Sequence, residues 1–247
     1  MDRLIYTAMT GAKHVFMQQA GVANNLANVG TTGFRAQEHR FQAVPVLSEA
    51  LDTRAFVVDA SVSDKFQEGP VTVTDNPLDV AIKGRGWFSV IGPDGSEAYT
   101  RAGALDISST GQLQTKSGQM VLGDAGPLTL PADNRIQVAP DGIISAVPIA
   151  GTPNNVNVIG RLKLVNPAEG DLVRGDDGLF RLKSGVAAPA DPSVRVLPGA
   201  LEGSNVNPTD AMVNLISLSR QFEMQIKMIQ TAETNAKQAD QILSMNG

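Results

Sequence analysis

Apolar residues recur in narrow stripes at the two ends of the chain, and a different pattern lies between them. From Ala211 onward, Leu215, Leu218, Phe222, Gln225, Ile229, Ala232, Ala236, Ala239 and Leu243 follow in alternating steps of four and three. Only Gln225 among them is polar. This spacing predicts a helix with a coiled-coil seam, narrower than the face of a globular-core helix. Asn207 suits the cap, Pro208 the first helical position and Asp210 the first turn. No proline or glycine then appears before Gly247. A helix reaching Met245 is roughly 58 Å long at 1.5 Å per residue. A rod of that length cannot bury its seam inside a small domain, so it needs partner helices. Glu223/Lys227 and Glu233/Lys237 place the acid four residues before the base, the favourable order on a solvated helix.

The N-terminal end carries the same signature. Ile5, Ala8, Ala12, Val15, Gln19, Val22 and Leu26 step by three and four, which predicts a helix over residues 3 to about 28. Asn28, Gly30 and Gly33 stop it. Antiparallel pairing of the first and last helices is the simplest use of both seams. Asn24, Asn25 and Asn28 crowd the helix end although asparagine is a poor interior helix residue. They read either as a polar cap and loop or as a ladder of side-chain amides between neighbouring helices.

Between these ends the texture is that of β structure. All prolines except Pro208, and all glycines except Gly11, Gly21 and Gly247, fall between residues 30 and 203. Short strand-like runs alternate with turns. The candidates are Val71–Thr74, Leu78–Lys83, Trp87–Ile91, Ala98–Arg101, Gln112–Thr115, Arg135–Val138, Ile143–Ala146, Arg161–Val165, Leu179–Leu182 and Val194–Leu197. Pro93-Asp94-Gly95, Pro140-Asp141-Gly142 and Asp176-Asp177-Gly178 supply turns. No helix-period segment interrupts them, which argues against a parallel βαβ sheet. The expected organisation is an α+β chain whose long terminal helices pair as a coiled coil, with a mainly antiparallel β middle domain. Its parts are an N-terminal helix and Asn-rich motif (1–34), an extended arm (35–70), the β domain (71–203) and the C-terminal helix (204–247).

Composition narrows the function. A net charge of -5 leaves no basic footprint for nucleic acid. The absence of cysteine removes disulfides, thiolate metal sites and a cysteine nucleophile. No apolar run approaches the length of a membrane span, and the start of the chain lacks the features of a cleaved secretory signal. The region Met9–Met17 has only Arg3 and Lys13 as nearby fixed cations, too few to lay a helix on anionic lipid. No direct membrane insertion is expected.

Candidate chemistry is sparse. His14 lies on a helix and His39 in the arm, with no triad pattern around them. Gly84-Arg85-Gly86 lies between two strands, so it reads as a hairpin turn rather than a dinucleotide fingerprint. The Asp-Gly pairs lack the alternating oxygen ligands of a calcium loop. No metal or cofactor is expected. Met212, Met224 and Met228 read as helix packing.

Several motifs point to one family. Asn25-Leu26-Ala27-Asn28-x-x-Thr31-x-Gly33-Phe34 resembles the N-terminal motif of flagellar rod and hook proteins. Asn76-Pro77-Leu78-Asp79-Val80-Ala81-Ile82 with Gly86-Trp87-Phe88 resembles the start of their middle domain, and Tyr99-Thr100-Arg101-x-Gly103 resembles a further motif within it. Leu201-Glu202-Gly203-Ser204-Asn205-Val206 and Arg220-Gln221-Phe222-Glu223-Met224 are similar to the C-terminal motifs. One departure is Ala102, where the Tyr-Thr-Arg motif usually continues with Asn.

The resemblance covers the chain in order and implies a structural subunit without catalysis. It implies export through the flagellar type III apparatus without signal cleavage. It further implies stacking with copies of itself and other rod subunits into a hollow shaft crossing the periplasm, with the helices lining the inner tube. The proximal part of the rod is the expected place, with the distal part the near alternative and a non-flagellar coiled-coil adaptor the remote one. The expected assembly residues are Ile5, Ala12, Val15, Val22 and Leu26 on the first seam, and Leu215, Leu218, Phe222, Ile229 and Ala236 on the last. Asn25, Asn28, Phe34, Ser204 and Asn205 mark the junctions. Both seams are too narrow and Ala-rich for a stable lone hairpin, so the ends are expected to order on assembly.

Overall fold

A computed structural model describes residues 2–45, 55–131, 134–148 and 156–245. The chain divides into two compact units. One comprises Met1–Val29, Ala36–Lys65 and Val206–Gly247, the other Gly30–Arg35 and Phe66–Asn205.

The first unit is built on two helices, α1 (Asp2–Ala27) and α2 (Pro208–Met245). The α2 cap forms as its sequence dictates: the Asn207 side-chain oxygen accepts the Thr209 N–H at 3.0 Å. Phe16 of α1 meets Phe222 of α2 with ring centroids 6.4 Å apart, and Gly11 faces the Gln225 side chain. The helices therefore pack side by side in opposite directions. Every seam position of α2 from Ala211 to Ala236 is buried or half-buried, and most residues between them are exposed. The covered arc of α1 is wider and includes Gly11, His14 and Gly21. The reason is that α1 packs against α2 and also against a β-hairpin.

That hairpin occupies much of the segment expected to be an extended arm. Gln37–Pro45 pairs antiparallel with Ala55–Asp64, with a register shift between Arg40 and Phe41. The Lys65 N–H donates to the Ala36 carbonyl at 2.8 Å and closes its base. Residues 35 and 66–70, also assigned to the arm, fall in the second unit.

The second unit is β structure in which all pairing among the described strands is antiparallel. Its largest sheet has five strands in the order Leu164–Val165, Trp87–Ile91, Glu97–Thr100, Phe180–Leu182, Leu172–Arg174. A three-stranded sheet joins Asn134–Val138, Ile143–Pro148 and Asn157–Arg161. Val80–Lys83 pairs with Arg195–Pro198, and Val71–Val73 with Ala200–Glu202. An aliphatic core gathers Val80, Phe88, Val90, Leu113, Val121, Ile144, Leu162 and Leu164, and a smaller aromatic one gathers Trp87, Tyr99 and Phe180.

Two expectations are corrected here. The run Arg161–Val165 is not one strand, because its two halves serve different sheets. Asn157–Arg161 pairs with Ile143–Pro148, and Leu164–Val165 with Trp87–Ile91. Gly84-Arg85-Gly86 is not a hairpin turn. The strands it joins lie in different sheets, so it is a corner, and both glycines take positive φ (77° and 136°) to make it. A Cβ on Gly86 would also come within 2.7 Å of Val194.

Candidate assembly interface

The seam residues occupy the covered face of each helix. Ala12 is buried, and Ile5, Val15, Val22 and Leu26 are half-buried on α1. Leu215, Leu218, Phe222, Ile229 and Ala236 are half-buried on α2. Phe222 meets Phe16, which stands beside the α1 seam and remains 61% exposed. Tyr6 and Met9 on α1, and Met212, Ile216, Met224 and Met228 on α2, are exposed as well. The helix pair thus carries apolar surface outside its own seam.

The asparagine cluster splits its work. Asn28 ends α1: its N–H and its side-chain Nδ2 both donate to the Asn24 carbonyl, at 3.2 and 3.0 Å. Asn25 clasps the first strand of the hairpin. Its Nδ2 donates to the Gln37 carbonyl at 2.8 Å, and its Oδ1 accepts the Gln37 N–H at 2.9 Å. A side-chain amide so placed imitates the pairing of a neighbouring strand. These bonds run to backbone within the chain.

The remaining junction residues belong to the β unit. The Phe34 carbonyl accepts the Asn205 N–H at 3.3 Å, and the Arg174 guanidinium lies 4.9 Å over the Phe34 ring. Asn205 Nδ2 donates to the Gln67 carbonyl at 2.9 Å, and Ser204 is buried. Three short segments, 33–35, 67–70 and 202–205, therefore run together.

At their meeting point lies a charged cluster that the sequence reading passed over. Glu202 is buried to 2% exposure between Arg35 (0%) and Arg101 (4%). Arg101 Nη1 donates to Glu202 Oε2 at 3.0 Å and its Nη2 to the Gly84 carbonyl at 2.6 Å, with the Ile82 carbonyl at 3.5 Å. Arg35 Nη1 sits 2.6 Å from Glu202 Oε1, which also accepts the Gly69 N–H at 3.1 Å. The Glu202 carbonyl accepts the Gly33 N–H at 2.8 Å. Both guanidinium groups lie over the Trp87 ring, at 5.5 and 6.0 Å from its centroid. Burial lowers the pKa of Arg101 and the Glu202 charge opposes that shift.

The glycines of these motifs are needed for close approach. Gly33 has φ of 68°, and a Cβ there would lie 2.3 Å from the Arg101 backbone carbon. At Gly103 it would lie 1.6 Å from the Val80 carbonyl oxygen. The Ala102 N–H donates to the Thr100 hydroxyl at 3.1 Å, a contact that does not use the residue-102 side chain.

A cavity of about 600 Å³ opens beside the cluster, lined by Glu68, Arg85, Trp87, Arg101 and Glu169 among others. Its one buried cation, Arg101, is already committed to Glu202 and two carbonyls. Among the described residues no group of three or more His, Asp or Glu is placed to hold a metal ion. No helix among them is long and apolar enough to cross a membrane.

Comparison with known proteins gives this arrangement its context. Residues 197–242 match the family described as the flagellar basal body rod FlgEFG protein C-terminal, and residues 81–146 the flagellar hook protein FlgE/F/G D1 domain. The flagellar basal-body rod protein FlgF of Salmonella typhimurium is 45% identical over 252 residues, covering 100% of both chains. The chain belongs to the flagellar basal-body rod protein family. The FlgF of Escherichia coli is also 45% identical over 100% of both chains. The rod protein FlgG of Agrobacterium fabrum is 32% identical over 95% of this chain and 97% of its own. The FlgEFG C-terminal match begins in the strand before Glu202 and runs through most of α2. The D1 match spans Trp87 and Arg101. Two of the three charges in the cluster thus sit in the matched regions, and Arg35 sits in neither.

Proposed function

We propose that this chain is a structural subunit of the bacterial flagellar basal-body rod, placed in its proximal part. The observation that carries this reading is full-length identity of 45% to FlgF proteins, against 32% to an FlgG over slightly less of the chain. The FlgG likeness keeps a distal-rod subunit as the second reading.

The subunit does its work by packing, with no catalytic step. α1 and α2 pair as a coiled coil, and their outer apolar residues meet helices of neighbouring copies and of other rod proteins. The exposed Tyr6, Met9, Ile216 and Met224 support this, since isolated helices gain little from such residues in water. The ends order as subunits add to the growing tip, after export through the flagellar type III apparatus and without insertion into a membrane. The parallel helices of many subunits then share the torque load. Within this reading the parts remain 1–34, 35–70, 71–203 and 204–247, the first and last serving assembly.

Purified basal bodies carrying an epitope-tagged copy test the placement. Label at the cell-proximal end of the rod supports the proposal. Label along the distal rod favours the second reading, and a soluble closed oligomer absent from basal bodies favours an adaptor.

A further inference from the structure

The charged cluster in the β unit is unevenly satisfied. Arg101 has three oxygens within reach, two of them backbone carbonyls of its own unit. Arg35 is fully buried, yet among the described residues its Nε and Nη2 have no hydrogen-bond partner, and Nη1 lies close to Glu202 Oε1 but out of line for a hydrogen bond. Its remaining favourable contact is the Trp87 face at 6.0 Å. The three buried side chains carry two positive charges and one negative, and the exposed Glu68 carboxylate acts on Arg101 from the cavity side. With Arg35 absent, Arg101 and Glu202 form a neutral pair with the Gly69 N–H on the free oxygen. With Arg35 present, a second cation is taken out of water for a share of a carboxylate already paired with Arg101 and for the Trp87 face, and desolvation of that kind is costly.

We infer that Arg35 is a releasable latch: the β unit closes on its own Arg101–Glu202 pair, and residues 30–35 dock onto it and leave it through Arg35. Three neutral or singly charged contacts open with it: Gly33 N–H to the Glu202 carbonyl, Asn205 N–H to the Phe34 carbonyl, and Arg174 Nη2 to the Arg35 carbonyl at 2.6 Å. The latch is directional. Glu202, its receptor, lies in the segment leading to α2, so residues 30–35 dock only after residues 200–205 are in place.

The test compares variants of the full, unassembled chain by thermal melting and by amide hydrogen exchange. Arg35→Met, similar in length and uncharged, is expected to leave the melting temperature of the β unit unchanged or raised. Glu202→Gln and Arg101→Met, which strip a buried charge of its partner, are expected to lower it by roughly 10 °C. In the unchanged chain the Gly33 amide is expected to exchange at least about tenfold faster than the Leu113 amide, which bonds inside the β unit to Leu128. Two results overturn the inference: Arg35→Met lowering the melting temperature as far as Arg101→Met, or Gly33 protected as strongly as Leu113. The exchange result stands alone if either charge variant fails to fold.

Discussion

Asn25 holds both backbone groups of Gln37, donating to its carbonyl at 2.8 Å and accepting from its N–H at 2.9 Å. No other residue type has a donor and an acceptor so arranged on so short a stem. Asn25→Asp keeps the acceptor and sets a carboxylate against the Gln37 carbonyl. The expected cost is about 1–3 kcal/mol for the part-buried groups left unmatched. A lower melting temperature of the unit that holds both helices, with the β unit's melting unchanged, is the outcome to look for.

Phe222 and Leu215 test the helix pair. Phe222→Ala removes the ring that meets Phe16, an aromatic contact of about 0.5–1.5 kcal/mol beyond its buried area. Leu215→Asp places a charge on the half-buried seam. Both are expected to reduce incorporation into rods, measured as the fraction of tagged chain recovered with basal bodies. Neither should shift the melting of the β unit. A parallel drop in that melting would tie the two units energetically and count against the seam as an assembly element.

Gly33→Ala is expected to displace residues 30–35 from the β unit. The left-handed conformation costs a non-glycine residue about 1–2 kcal/mol, and the clash with the Arg101 backbone at 2.3 Å adds to it. Faster amide exchange at residue 33 reads the loss, with the melting of the β unit little changed. Gly30→Ala, where a Cβ meets nothing within 4 Å, is the control and should be near neutral.

The turn at Asp94 makes a pH prediction. Its pKa is lowered from 3.8 to about 2, chiefly by the Ser96 hydroxyl hydrogen bond, then by the Ser96 N–H, with Arg181 adding to the effect. A folded value below the unfolded one stabilises the folded state above pH 3.8, and that stabilisation disappears as pH falls toward 2. Asp177, lowered chiefly by its hydrogen bond from Arg181, moves in the same direction. Carboxyl NMR titration should show Ser96→Ala raising the Asp94 midpoint more than Arg181→Met does. The reverse order would make the arginine the dominant influence.

How far the sequence led depends on the kind of information each element needs. The helices were legible because the seam spacing at Leu215, Leu218 and Phe222 is local and periodic. The strand candidates were legible from turn chemistry, and each overlaps a strand of the structure, with Arg161–Val165 straddling two. Sheet membership was not, because a corner such as Gly84–Gly86 and a hairpin turn have the same composition. Which strand pairs with Leu164–Val165 is settled by contacts distant in the chain. The buried charges were missed for a different reason: a charged side chain ordinarily marks surface. The available hint was placement. Arg101 and Glu202 sit inside glycine-rich motifs whose neighbours are small or apolar, and Arg35 directly follows Phe34 of another. The Asn25 clasp was half visible, since three asparagines at a helix end announce a capping role but not its backbone partner.

The two helices that pack together are separated by all of residues 28–207. Whether the chain emerges from a ribosome or threads lengthwise through a narrow conduit, α1 must wait for every intervening residue before Pro208–Met245 arrives. The arrangement is a clock: no complete helix pair exists until α2 has been delivered. A subunit interrupted in transit offers a lone, weakly stable stripe rather than a finished docking element.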